Sequence, residues 1–177
     1  MWSVGIGKMA KELTTDLAVM SMAYSPDGKT LAAGVLNERV QMWDTVTWKE
    51  TPGVKGHRTQ VMSVAYTRDG KTVASTGGVE LKLWDAGTGK LRLTFKQENF
   101  IRAMAFSPDG KLVASGDGAP KAGASGEVVI WDASSGEERQ RWEVRDGGVV
   151  ALAIAADGKT LATRSYGGAV EITKVKE

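Results

Sequence analysis

His57 is the one histidine of this chain, and the chain contains no cysteine. A histidine-based metal cluster cannot form within one copy, and thiolate catalysis, disulfides and cysteine-ligated zinc or iron–sulfur centres are excluded together. As a general base, His57 would need a placed nucleophile and an orienting carboxylate. The acidic candidates are Asp27, Asp69, Asp109 and Asp157, each followed by Gly and Lys. They recur in the same turn of separate units, and no single loop repeats acidic ligands at the close spacing of a calcium loop. Gly87-Thr88-Gly89-Lys90 and the Gly116–Gly126 stretch have the composition of phosphate loops. A phosphate loop must open a helix whose first amides hold the anion, and no helical pattern follows either stretch. Trp43, Trp84 and Trp131 with Lys29, Lys71, Lys111 and Lys159 are the raw material of nucleic-acid stacking and phosphate contact. Nearby carboxylates dilute the lysines and the net charge is only +2, so core packing and turn chemistry explain these residues better. No catalytic set and no cofactor site emerge.

The elements that position these residues form a repeat. The turn Ser25-Pro26-Asp27-Gly28-Lys29 returns with its Asp at 69, 109 and 157, so the steps are 42, 40 and 48 residues. Ser, Pro and Gly in that order suit a tight hairpin connection. Before each turn runs a strictly alternating segment (Val19–Tyr24, Val61–Tyr66, Ile101–Phe106, Val149–Ile154), which reads as a β-strand. A second strand follows the turn. A third ends in Trp43-Asp44, Trp84-Asp85 or Trp131-Asp132, with Thr173-Lys174 in that place in the fourth unit. A fourth carries one large apolar anchor eleven residues beyond each Trp: Val54, Phe95 and Trp142. Four short antiparallel strands per unit of ~40–45 residues is the blade of a β-propeller.

These pairs and turns in register resemble the WD-repeat family along essentially the whole chain. The resemblance implies an all-β propeller that acts as a rigid, non-catalytic platform for protein or peptide partners. It also implies a structural role for His57, next to Ser75 and Trp84. The family's Gly-His element occurs once, at Gly56-His57, and Thr14-Thr15, Lys96-Gln97 and Val144-Arg145 stand at the matching positions. Where the family often has an Asp six residues before the Trp, this chain has Asn37, Gly78, Ser125 and Gly167. The expectation is that no blade builds the full polar network, the second retaining only His57, Ser75 and Trp84 of it, and that each blade leans more on packing than on that network. By the family's usual docking face, the candidate contact residues are Arg58, Gln60, Phe100 and Arg102 beside the first strands, with Asp117 and Lys121 in a loop inserted before Trp131.

The two ends bear on ring closure. Met1–Met9 lines up with Leu83–Leu91, and Leu13 lies eleven residues after Trp2 as Phe95 does after Trp84. One blade is then split between residues 1–14 and 149–177, giving four blades in a single domain. A single copy could close as a four-bladed ring, or two copies could each supply half of an eight-bladed ring. Small residues such as Val73-Ala74-Ser75 and Val113-Ala114-Ser115 suit narrow wedges and favour the eight-bladed homodimer with exchanged terminal strands. A fragment or engineered piece of a longer propeller is the alternative. The 42% hydrophobic and 25% charged residues are those of an ordinary globular chain. No apolar run reaches the ~18–20 residues of a membrane span, and no secretory pattern opens the chain. The expected setting is cytoplasmic, with the partners being a second copy and an unidentified protein or peptide, rather than membrane or nucleic acid.

Overall fold

The computed structural model describes residues 2–3, 8–9, 12–15, 17–119 and 123–175. Every regular element among them is a strand. β1 (Trp2–Ser3) and β2 (Lys8–Met9) pair with each other. The first blade is β3 (Val19–Tyr24), β4 (Thr30–Val35), β5 (Arg39–Asp44) and β6 (Glu50–Lys55). The second is β7 (Val61–Tyr66), β8 (Thr72–Gly77), β9 (Glu80–Asp85) and β10 (Leu91–Lys96). The third is β11 (Ile101–Phe106), β12 (Leu112–Asp117), β13 (Gly126–Asp132) and β14 (Glu138–Val144). The fourth holds only β15 (Val149–Ile154), β16 (Thr160–Ser165) and β17 (Val170–Lys174) among the described residues. All pairings are antiparallel meanders, and each first strand carries a bulge after its opening residue. That repeated bulge bends the strand at one position in each blade.

The turns fold for the reasons their residues suggest. Ser25 Oγ donates to Asp27 Oδ1 at 2.6 Å, Lys29 N donates to the same oxygen at 3.0 Å, and Gly28 takes φ +71°. Thr67 and Ser107 bind Asp69 and Asp109 in the same way. These carboxylates are used up by their own turns, and the bonds hold their pKa values below the usual carboxylate range. The Asp of each Trp-Asp pair closes the next turn: Asp44 accepts from Thr47 N at 2.7 Å, and Asp85 from Thr88 N at 2.8 Å.

The core lies between blades. Val40, Met42 and Val54 of the first blade meet Val61, Val64, Val73 and Trp84 of the second. Leu81, Leu83 and Phe95 then meet Ile101, Met104, Val113 and Trp131, and Val128, Ile130 and Val144 meet Val149 and Leu161. Ala32, Ala74 and Ala114 are fully buried at these seams, so the blades approach closely over small side chains.

Among the described residues the two outer faces of the array lack a neighbouring blade. Met22 is 65% exposed, although Val64 and Met104 at the same position in the next blades are 5% and 8% exposed. At the far end Val170 and Ile172 are 66% and 68% exposed, although their equivalents Leu81, Leu83, Val128 and Ile130 are buried. Leu13 lies against Leu31, Ala33 and Trp43 on the first face. That is where an outer-strand anchor of a preceding blade would sit.

Candidate functional site

Connections from each fourth strand to the next first strand share one face with the loops between second and third strands. Backbone bonds tie them into a belt that crosses the blades. Gln97 N donates to Val79 O at 3.0 Å, Ile101 N to Gly78 O at 2.8 Å, and Tyr166 N to Gly148 O at 2.9 Å. The inserted loop is anchored at both shoulders, since Gly148 N donates to Ala119 O at 2.9 Å and Gly147 N to Ala124 O at 2.6 Å. A Cβ on Gly148 would fall 2.6 Å from the Gly118 carbonyl carbon. The shoulders fit this closely because that residue has no side chain.

The anticipated contact residues divide on this face. Arg58 and Gln60 are exposed at the entry to the second blade. Phe100 is 52% exposed at the entry to the third, and Arg102, half-buried, donates from Nε to Gly118 O at 3.3 Å. Lys121 lies outside the described residues. Asp117 has to be reassigned, because its side chain is fully buried and cannot meet a partner directly. Its carboxylate accepts from Glu127 N at 2.8 Å and Asn99 N at 3.4 Å, fastening the insertion to the neighbouring connection. Burial pushes its pKa up, against the pull of those two amides.

Beneath the belt lies a polar lock. Ser75 Oγ accepts from Trp84 Nε1 at 2.8 Å and lies 2.7 Å from His57 Nε2. That spacing matches a nucleophile–base dyad, but Ser75 is fully buried and His57 nearly so, so no substrate can reach them. Burial, reinforced by nearby Lys82 and opposed by Glu80, lowers the His57 pKa to about 4. The imidazole is neutral at pH 7 and serves as a hydrogen-bonding strut. Its Nδ1 lacks a full hydrogen bond and faces Gly77, where a Cβ would sit only 2.6 Å away.

The third blade builds a matching lock with a glutamine in the place of the histidine, an arrangement not anticipated from the sequence. Ser115 Oγ accepts from Trp131 Nε1 at 2.8 Å and donates to Gln97 Oε1. Gln97 replaces His57, and Asp117 stands where the second blade must have Gly77. The first and fourth blades have Ala33 and Thr163 at the serine position, and Thr163 Oγ1 is buried without a partner. The offset of 40 residues separating His57 from Gln97 also separates Ser75 from Ser115, a signal available in the sequence. Among the described residues no three of His, Asp and Glu converge to hold a metal ion.

The model of the family described as WD domain, G-beta repeat matches residues 7–44, 48–85 and 89–132. The WD repeat-containing protein WDS homolog of Arabidopsis thaliana is 31% identical over 82% of this chain and 28% of its own length. Cell division cycle 20.5, cofactor of APC complex, from the same plant is 30% identical over 99% of this chain and 40% of its own. The chain thus spans well under half of these relatives. Among solved structures, Kuenenia stuttgartiensis hydrazine synthase superposes with TM-score 0.80 at 22% identity, over 93% of this chain and 48% of that one. The computationally designed Ika4 protein does so with TM-score 0.79 at 21% identity, over 95% of this chain and 100% of that one. At these identities the two structures speak for the fold alone.

Proposed function

The chain belongs to the WD-repeat family, and on that premise we propose that it is a non-catalytic protein-interaction scaffold whose ring is closed by a second copy. Partners dock on the face carrying Arg58, Gln60, Phe100 and Arg102, with Asp117 shaping the inserted loop from beneath and Lys121 adding a cation to that loop.

Closure rests on the exposed end faces. The first face has an apolar groove of about 450 Å³ lined by Leu13, Met22, Ala23, Tyr24 and Leu31. Its position in the repeat is the one that covers a preceding blade in the interior. The far face, with Val170 and Ile172, is the one covered there by a following blade. Each is therefore complementary to the other, and both are exposed within one chain. Two copies joined first face to far face make a closed ring with two identical seams and no open end. In each seam β2 and Leu13 of one copy lie beside β17 of the other and complete its fourth blade. Large exposed apolar surface is uncommon on a chain that works alone.

Size-exclusion chromatography with light scattering tests this. The reading expects twice the chain mass of 18.8 kDa, and a single-chain mass at micromolar concentration would refute it. The chain's short coverage of its relatives favours a second reading, in which it is a piece of a longer propeller whose neighbouring blades cover the same faces.

A further inference from the structure

One ladder position is filled twice in this chain. In the complete blades the third and fourth strands pair Trp43 with Glu50, Trp84 with Leu91 and Trp131 with Glu138. β1 and β2 repeat this pairing, with Trp2 opposite Met9 and the same seven-residue step. β17 puts Thr173 at that position too: Thr173 lies opposite Leu161 as Trp84 lies opposite Val73 and Trp131 opposite Val113. β17 is the last strand of its sheet among the described residues. The outer strand that begins at β2 therefore has two claimants, β1 of its own chain and β17 of the copy it completes.

Side-chain size indicates which claimant belongs in a finished blade. Each third-strand Trp packs with the outer-strand anchor of the preceding blade. Val54 shares a cluster with Trp84, Leu13 lies with Trp43, and the rings of Phe95 and Trp131 are 5.3 Å apart. At the fourth blade the sizes are reversed: the anchor is Trp142, packed on the Val149 and Leu161 cluster, and the third-strand residue is Thr173. Relative to the Val54–Trp84 pair the large and small side chains have traded places across the seam, which keeps the volume of that pair nearly constant. A tryptophan at this third-strand position would crowd the Trp142 indole. The finished blade takes β17, and β1 must leave.

The geometry points to β1 as a built-in competitor for the seam, which the β17 of a second copy displaces from β2 as the ring closes. This inference rests on the two-copy closure proposed above and names how that closure is regulated. Association is then a strand exchange, in which the β1–β2 backbone bonds are given up as the β2–β17 bonds form. In the free chain, the pairing with β1 shields part of an edge that would otherwise be open to indiscriminate pairing.

The test is the dimer dissociation constant of the full chain, measured by sedimentation over a dilution series. It is compared with a variant lacking residues 1–3 and with Trp2→Pro. Removing the competitor tightens association by about thirtyfold, the worth of roughly one net backbone hydrogen bond at each of the two seams. Met9→Pro, which damages the shared strand, loosens it. Dimers of unchanged or weaker affinity in both the deletion and Trp2→Pro would overturn the competitor role and leave two-copy closure standing. Full chain and deletion variant both monomeric at every concentration would overturn two-copy closure itself.

Discussion

Replacing His57 by Gln should make the protein more resistant to acid while leaving its stability near neutrality almost unchanged. The third blade already holds this arrangement, since Gln97 accepts from Ser115 while Trp131 donates to the same hydroxyl. In the second blade the His57 pKa is lowered from 6.5 to about 4, chiefly by burial. A base whose folded pKa lies below its unfolded value stabilises the fold fully above the unfolded value, and loses that contribution as the pH falls from 6.5 towards 4. A separation of that size is worth about 3 kcal/mol at the acid limit, and roughly 2 kcal/mol is already lost by pH 5. Glutamine has no such proton to take up. Urea unfolding of both proteins at pH 8, 6 and 5, at one fixed chain concentration, isolates the term, because the carboxylates contribute equally to each. The Gln variant should lie within about 1 kcal/mol of the parent at pH 8 and gain about 2 kcal/mol on it by pH 5. Parallel pH profiles would refute the reasoning, since they would mean that His57 titrates as freely in the fold as in the unfolded chain.

Ser75→Ala leaves Trp84 Nε1 and His57 Nε2 without their buried partner and should cost about 2–3 kcal/mol in urea unfolding; a neutral outcome would mean that the lock is not made. Thr173→Trp alone should cost about 1–3 kcal/mol by overpacking, and Trp142→Val alone about 3 kcal/mol through the cavity it leaves. The double variant should recover much of both losses, and simple additivity in the cycle would deny the volume exchange. Phe100→Ala combined with Arg102→Ala should leave thermal stability nearly untouched but abolish capture of the native partner in a pull-down; undiminished capture would move the docking surface elsewhere. Ile172→Asp should give a folded single-chain species by light scattering, and a persistent two-chain mass would place the seam away from that residue.

Strand order, turn chemistry and the Trp-Asp register were legible because they depend on local spacing. Period-two alternation, Pro followed by Asp-Gly, and a recurring Trp each act within one hairpin. The second polar lock was harder to see, because its recognition demanded that Gln97 be accepted as a hydrogen-bonding replacement for His57. Serine at the common strand position and a 40-residue offset supported that substitution. Asp117 was misplaced for a related reason. It borders a Gly-rich insertion and reads as a loop residue, yet β12 continues through it and turns the carboxylate inward to two backbone amides. The exposed end faces belong to no single hairpin. Val170 and Ile172 have the same residue types as Val128 and Ile130, and only the missing neighbour distinguishes them.

Ring closure between two copies is the central claim, and the absence of cysteine allows a direct measurement. In the third-to-fourth-strand register, Phe95 faces Leu81, so Leu13 of one copy should face Val170 of the other, within reach of a disulfide. Leu13→Cys and Val170→Cys are made as separate proteins, mixed and oxidised gently. The account predicts one abundant cross-linked species containing one copy of each, with little linkage when either variant is oxidised alone. If the mixture yields no such species, and a chain carrying both substitutions links only to itself, the ring closes within one copy and the claim is contradicted.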